Sequence, residues 1–223
     1  MKKKKVIDPF KRITNSIIIF MVALIFAALA NFSFGSSFKF LPRWLEAFVV
    51  FIVAAYILFF IAMLRLWRFN KSFKYAFITL GISMVVLFLS SVCETSNDGT
   101  YLVLAKAFSM SQELLTIVFY SYFFFGCREI FIENNEEKYA KKTLIYIIAL
   151  IGFEVLTFLI ARFAKFPFIA NNIVANRIFA YTPWALQFVI SFYAMATAIV
   201  ITIRVRKIRK EVSTNEQVEK LPE

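Results

Sequence analysis

The chain has 223 residues, a formal net charge of +12 and 61% hydrophobic residues, with a mean hydropathy of +0.72. A soluble globular domain contains about 45–50% apolar residues, so this composition argues against that class and for a membrane protein. Histidine is absent from the sequence, which excludes haem ligation by histidine, the common zinc sites and histidine-based acid–base chemistry.

Six apolar segments, taken in chain order, are each long enough to cross a hydrocarbon core of about 30 Å as a helix. They cover residues 13–34, 43–64, 75–93, 102–125, 144–163 and 184–203. Glycine and proline are scarce, at 5 residues each, which favours long uninterrupted helices. The sequence therefore predicts an all-α fold, a polytopic integral membrane protein. Its six transmembrane helices (13–203) lie between a basic cytoplasmic N-terminus (1–12) and a polar cytoplasmic tail (204–223).

The basic residues are distributed unevenly between the two sides of this predicted bundle. With the N-terminus inside, 20 of the 26 Lys and Arg residues lie in the N-terminal segment, the second and fourth connections and the tail. Because Lys and Arg concentrate on the cytoplasmic side, both termini are predicted to be cytoplasmic. The same distribution accounts for the net charge without a nucleic-acid partner, and it predicts attraction of anionic lipids at the cytoplasmic face of the bilayer. The expected location is the plasma membrane, as the inner membrane of a bacterium.

The first apolar segment also has features of a secretory signal peptide. A basic start is followed by an apolar stretch and by Ala28-Leu29-Ala30, a small-residue pattern typical of cleavage sites. The apolar run is longer than a usual signal core and continues to Phe34, which favours a retained transmembrane helix. Cleavage is the alternative interpretation of this segment.

Two glutamates lie near the middle of the fourth and fifth predicted helices, Glu113 and Glu154. An ionised side chain at the bilayer centre costs roughly 2.5–3.5 kcal/mol on insertion scales, so it usually faces a partner, a cavity or a pathway. Because neighbouring helices run antiparallel, the two carboxylates are expected at a similar depth. They are the leading candidates for a functional site.

Further polar residues accompany these acids. In the fourth helix Lys106, Glu113 and Tyr120 are spaced by seven residues, which places them on one broad helical face. This face must turn away from lipid, so we expect a bundle with a polar interior that opens outward. The candidate ligand- or ion-binding residues are Glu113, Glu154, Gln112, Lys106, Arg162, Tyr120 and Gln187.

The two acids allow three interpretations. In the first they form a site for a cation, a proton or an amine-bearing ligand. In the second each acid pairs with a base, Glu113 with Lys106 and Glu154 with Arg162, and the pairs hold the bundle together. In the third both acids are protonated and hydrogen-bonded between helices. A cavity that reaches both acids favours the first interpretation, and close ion pairs in a sealed core favour the second.

Motifs for catalysis are missing from the sequence. No predicted span contains an aspartate, and there is no glycine-rich nucleotide loop and no Cys-x-x-Cys. The two cysteines, Cys93 and Cys127, fall on opposite sides of the bilayer and are predicted to be small buried residues without a disulfide. We therefore expect no enzymatic activity, no catalytic residue, no metal site and no cofactor.

The leading expectation is a protein that binds or translocates a small solute or ion, alone or with partner subunits of a larger transport system. The long outer connection, residues 164–183, is apolar and is expected to lie on the membrane surface or to cover the pocket as a lid. One alternative is a membrane sensor or partner protein that signals through its cytoplasmic tail. Another is a structural membrane protein without transport activity.

Overall fold

A computed structural model of the chain describes residues 8–35, 44–94, 99–163 and 172–218. These residues form six α-helices, and no strand occurs among them. The helices are α1 (Pro9–Gly35), α2 (Trp44–Leu66), α3 (Lys71–Glu94), α4 (Gly99–Glu133), α5 (Glu137–Phe163) and α6 (Ile173–Val218). The all-α prediction is confirmed for this part of the chain.

The surface of the bundle and the length of its helices are those of a multi-pass membrane protein. Five helices in the described ranges are long and apolar enough to cross a membrane. In α2 the stretch Val50–Leu66 is apolar as well. Large apolar side chains point outward, among them Phe88 and Val103, which are 68% and 66% exposed. Apolar surface on this scale is stable only when lipid or protein covers it.

The six helices close into a ring. Each helix packs against the next one in chain order, and α6 packs against α1. Short connections make consecutive helices antiparallel, so the helix ends collect at two opposite ends of the bundle. We call the "basic end" the one where α1 begins, α2 meets α3, α4 meets α5 and Arg204 and Arg209 lie on α6. The opposite end is the "far end".

Polar side chains fix the start of two helices at the basic end. The Asp8 carboxylate accepts hydrogen bonds from the backbone N–H groups of Phe10 and Lys11, at 3.0 and 3.2 Å. It therefore caps α1, with Pro9 at the first helical position, where proline is favoured. The Asn70 side chain accepts from the Phe73 backbone N–H at 2.9 Å and caps α3 in the same way.

The turn between α4 and α5 is made by a left-handed residue. Asn135 has a φ of 57°, a conformation that asparagine tolerates better than most residues. Its N–H donates to the Ile132 carbonyl, and the Glu136 N–H donates to the Phe131 carbonyl. This is the Schellman pattern, which satisfies the last carbonyls of α4 and reverses the chain within a few residues.

The helices extend beyond the predicted spans, most of all in α6. The prediction of a connection over residues 164–183 is wrong for its second half, because α6 begins at Ile173 and contains Pro183. Residues 164–171 lie outside the described residues. The helix also continues past the predicted boundary at residue 203, since Val205 and Ile208 are 0% and 4% exposed and extend its buried face into the tail.

An aromatic layer fills the middle of the ring on the basic side. The rings of Phe20 and Phe123 stack with centroids 3.6 Å apart and planes inclined by 7°. Around them Phe59 lies 5.2 Å from Phe20, and Phe119 lies 5.5 Å from Phe59. These four side chains come from α1, α2 and α4 and are buried. The layer therefore joins opposite sides of the ring and closes its centre.

Candidate functional site

The far half of the bundle contains a cavity of about 540 Å³ that receives side chains from all six helices. Small-molecule sites usually measure about 300–1,000 Å³. Its floor is the aromatic layer, since Phe59 and Phe119 of this layer line the cavity. The polar residues in its lining are Tyr56, Ser83, Gln112, Glu113, Thr116, Tyr120, Glu154, Thr157 and Gln187. Five of the seven predicted site residues are therefore brought together: Gln112, Glu113, Tyr120, Glu154 and Gln187.

Glu154 is the buried acid of the cavity, at 7% exposure. The side-chain amide of Gln187 donates to its Oε1 at 3.4 Å, which links α5 to α6. In the described part of the chain Glu154 has no ion-pair partner. The interpretation in which Glu154 pairs with Arg162 is therefore wrong. A buried carboxylate without a cation is a group that a cationic ligand or a proton would stabilise.

Glu113 is the acid that pairs with Arg162. A guanidinium nitrogen of Arg162 lies 3.0 Å from Glu113 Oε2, and the two side chains are 27% and 45% exposed. Arg162 also stands over the ring of Phe158, with 4.8 Å from its Cζ to the ring centroid. Because Glu113 both lines the cavity and keeps much of its exposure, this ion pair stands at the accessible rim, while Glu154 lies deeper.

Lys106 does not join the site. The structure places it as an exposed residue outside the cavity lining, and in the described part of the chain it makes no ion pair with Glu113. The interpretation in which Lys106 pairs with Glu113 is therefore wrong. The physical reason is helix rotation: Arg162 on α5 approaches Glu113 from a neighbouring helix, whereas Lys106 is two turns away on the same helix.

Two residues that the sequence analysis did not select hold the centre of the site. The Gln112 side-chain nitrogen lies 2.6 Å from the Tyr56 hydroxyl of α2 and 2.7 Å from the Ser83 hydroxyl of α3. Its Oε1 is buried without a hydrogen-bond partner in the described residues. Isolated polar residues in otherwise apolar segments were the available signal for Tyr56 and Ser83. This network presents one polar wall, across from the Glu154 and Gln187 pair.

The chemistry of the cavity suits a small cation or a protonated amine. Glu154 supplies negative charge, and the Gln112 carbonyl and the hydroxyls of Tyr56 and Ser83 supply further oxygen atoms. Apolar side chains such as Ile52 and Phe158 complete the wall and suit a hydrocarbon portion. Among the described residues there is no cluster of three His, Cys, Asp or Glu side chains that could hold a metal ion. Both cysteines are free and buried, as predicted.

No protein-family model, no curated protein and no solved structure matches the chain.

Proposed function

We propose that the protein binds a small cationic or amine-bearing solute, or a proton, in the far-half cavity and moves it across the membrane. Glu154 is the main charge partner of the solute, Gln112, Tyr120 and Gln187 are its polar neighbours, and the Glu113–Arg162 pair guards the rim. Translocation then requires the aromatic layer to part, so that the cavity opens to the basic end. The chain acts alone or as the membrane subunit of a larger transport system, and it has no enzymatic activity.

The observation that carries this proposal is the cavity that reaches both acids. It is large enough for a small solute, it receives side chains from every helix of the ring, and its deepest acid has no cation beside it in the described residues. A bundle held together only by its ion pairs would not need this volume, since interiors are packed at high density.

The membrane arrangement that goes with this function has six spans. They are the five long apolar helices and α2. The basic end faces the cytoplasm, as the distribution of Lys and Arg favours, and the far end faces outward. The protein then belongs in the plasma membrane, in contact with anionic lipids on the cytoplasmic side. In this orientation the cavity accepts solute from outside.

The test is transport by the purified chain in proteoliposomes that contain a pH-sensitive dye. A panel of monovalent cations and primary and quaternary amines is added outside, and uptake and proton movement are followed. Glu154→Gln should abolish uptake, because it keeps the side-chain shape and removes the charge. Glu113→Gln should weaken it.

Glu133→Gln is the matched control, because this exposed glutamate lies at the basic end of the same helix as Glu113, outside the cavity. Control and unaltered chain should transport equally. The decisive solute is one from the panel that the unaltered chain transports. If both cavity variants take it up at the unaltered rate, the proposed roles of Glu113 and Glu154 are wrong.

A sensor or partner protein is the second candidate, and the continuity of α6 favours it. This single helix lines the cavity through Pro183 and Gln187 and reaches the basic end, where Arg204 pairs with Glu136 and Arg209 pairs with Asp8. A solute that shifts α6 would therefore disturb ion pairs at the cytoplasmic end. Binding of solute without uptake in the proteoliposome assay supports this candidate. The absence of both binding and uptake supports a structural role.

A further inference from the structure

A second cavity, of about 490 Å³, lies at the basic end between the start of α1 and the last turns of α6. It shares no lining residue with the cavity of the far half. Four cationic side chains line it, Lys11, Arg206, Arg209 and Lys210. A site here is therefore separate from the cavity of the transport function proposed above.

The lining residues form two matched sets. On α1 they are Lys11, Thr14 and Asn15, and on α6 they are Arg206, Arg209 and Lys210, each set at positions i, i+3 and i+4. Residues with this spacing share one face of a helix. Because α1 and α6 pack against each other, the two faces meet and enclose the cavity.

Thr14 points to a ligand independently of the basic residues around the cavity. Its side chain is 5% exposed, it lines the cavity, and its hydroxyl is buried without a hydrogen-bond partner in the described residues. By contrast, the hydroxyl of Ser16, two residues later, donates to the Arg12 carbonyl at 2.8 Å. Buried hydroxyls are nearly always paired, so an acceptor that enters the cavity would account for Thr14.

The single acid in the lining does not neutralise the site. Asp8 is engaged by the backbone at the start of α1 and by Arg209. The lining therefore contains four cations and one acid. The start of α1 adds the positive end of the helix dipole to the same region.

We propose that this cavity binds a phosphate group, carried by an anionic phospholipid or by a free phosphate. Arg206 and Arg209 offer paired N–H donors that fit phosphate oxygens, Lys11 and Lys210 add point charges, and Thr14 and Asn15 donate hydrogen bonds. The cavity lies where the apolar stretch of α1 begins, at Pro9. A phospholipid headgroup held here leaves its acyl chains beside the apolar surface of the bundle.

The experiment uses the full chain in a neutral detergent and follows its thermal unfolding midpoint. Short-chain dihexanoyl phosphatidylglycerol and inorganic phosphate are added separately. A saturable rise with the lipid alone identifies a phospholipid headgroup site, and a saturable rise with both identifies a site for phosphate itself. No saturable rise with either probe overturns the proposal.

Two sets of variants distinguish a defined binding site from nonspecific electrostatic attraction to the basic end. The triple change Lys11→Gln, Arg206→Gln and Lys210→Gln should remove the saturable rise. The matched control changes Lys74, Lys138 and Lys141 to Gln, which removes the same charge from exposed positions of α3 and α5 outside the cavity. If the control variant loses the saturable rise equally, the total positive charge of the basic end causes the effect, and the proposed site is rejected.

Thr14→Val is the sharper variant because it removes only the hydroxyl. We expect the apparent Kd for the bound probe to rise roughly tenfold, as for the loss of one hydrogen bond to a charged group. The unfolding midpoint without probe should stay the same or rise, since the hydroxyl has no partner in the described residues. Thr14→Ser should restore the affinity. If Thr14→Val binds the probe with unchanged affinity, the Thr14 hydroxyl does not contact the phosphate, and the proposed geometry is wrong.

Discussion

Asp8 combines two roles at the start of α1. Its carboxylate accepts from two backbone N–H groups and pairs with Arg209, which lies near the end of the described chain. Burial of this carboxyl acts to raise its pKa, but the hydrogen bonds from the Lys11 backbone and from Arg209 outweigh it. The pKa of Asp8 therefore lies below its ordinary value of 3.8. One side chain thus both caps the first helix and ties it to the last.

The lowered pKa makes a pH-dependent prediction. A carboxyl with a depressed pKa in the folded protein stabilises it above about pH 4, and this contribution is lost as the pH falls through the folded pKa. Asp8→Asn keeps a capping oxygen but has no titrating charge. The difference in unfolding midpoint between the unaltered chain and this variant should therefore shrink as the pH is lowered from 6 to 3. A difference independent of pH would contradict the assignment.

The same prediction has a second variant that isolates the cap. Asp8→Ala removes both the charge and the capping oxygen, so it should be less stable than Asp8→Asn at every pH. The expected deficit is about 1 kcal/mol, the usual cost of losing a helix cap. Thermal unfolding in detergent over the same pH series measures it. Equal midpoints for the two variants would show that capping by Asp8 contributes nothing.

The polar residues of the cavity were more predictable from the sequence than the partners of those residues. Glu113, Glu154 and Gln187 were predictable because a polar side chain in an apolar helix is costly unless it faces the interior. Their pairing depends on how each helix is rotated about its axis, and residue spacing within one helix does not fix that rotation relative to the next. Arg162 consequently approaches Glu113 and not Glu154, and Lys106 lies outside.

At the scale of the helices, α3 and α4 pack closely at Gly126, among the glycines of the described residues. A Cβ on Gly126 would lie 2.7 to 2.9 Å from ring carbons of Phe73, which is buried. Next to this contact the Asn70 amide donates to the Gly126 carbonyl at 2.9 Å, and Ser72 donates to Glu129 at 2.7 Å. The absence of a side chain at Gly126 therefore sets how closely these two helices pack.

Gly126→Ala is expected to destabilise the protein. The added methyl group must displace the Phe73 ring within a packed interior, which costs roughly 1–3 kcal/mol. Gly152→Ala on α5 is the control, because nothing lies within 4 Å of the added Cβ there. Alanine in place of glycine inside a helix gains roughly 0.5–1 kcal/mol, so the control should unfold at a higher temperature. Equal midpoints for the two variants would show that the bundle accommodates the methyl group freely.

The existence and order of the helices were predictable, but the ends of several were not. Hydropathy marks where a segment is apolar, and a helix continues as long as its backbone is paired and one face is buried. In α6 the apolar stretch predicts a stop near residue 203, yet buried Val205 and Ile208 carry the helix into the charged tail. At its other end a connection was predicted up to residue 183. The helix instead continues through Pro183, which costs it one backbone hydrogen bond.

At the scale of the whole molecule, the ring of helices has an asymmetric interior. The far half encloses the cavity, and the aromatic layer fills the centre on the basic side. A solute that enters from the far end therefore meets Glu154 before it meets the layer. The side chains differ in the same way: polar residues line the cavity of the far half, and stacked phenylalanines close the centre.

This asymmetry predicts which side of the membrane reaches the cavity. Thr157 and Thr143 are both on α5, and each hydroxyl donates to the carbonyl four residues earlier at 2.8 Å. Thr157 lines the cavity, whereas Thr143 is 2% exposed and lies toward the basic end. Single cysteines at these positions, with Cys93 and Cys127 changed to alanine, form a matched pair.

A membrane-impermeant maleimide added to right-side-out vesicles should label Thr157→Cys and leave Thr143→Cys unmodified until the protein is denatured. The expected difference in labelling rate is at least tenfold, because a thiol in a packed interior is reached only by local opening. Labelling of Thr157→Cys in inside-out vesicles alone would place the far end in the cytoplasm and reverse the proposed direction of entry. Equal labelling of both positions would mean that the aromatic layer does not separate the cavity from the basic end.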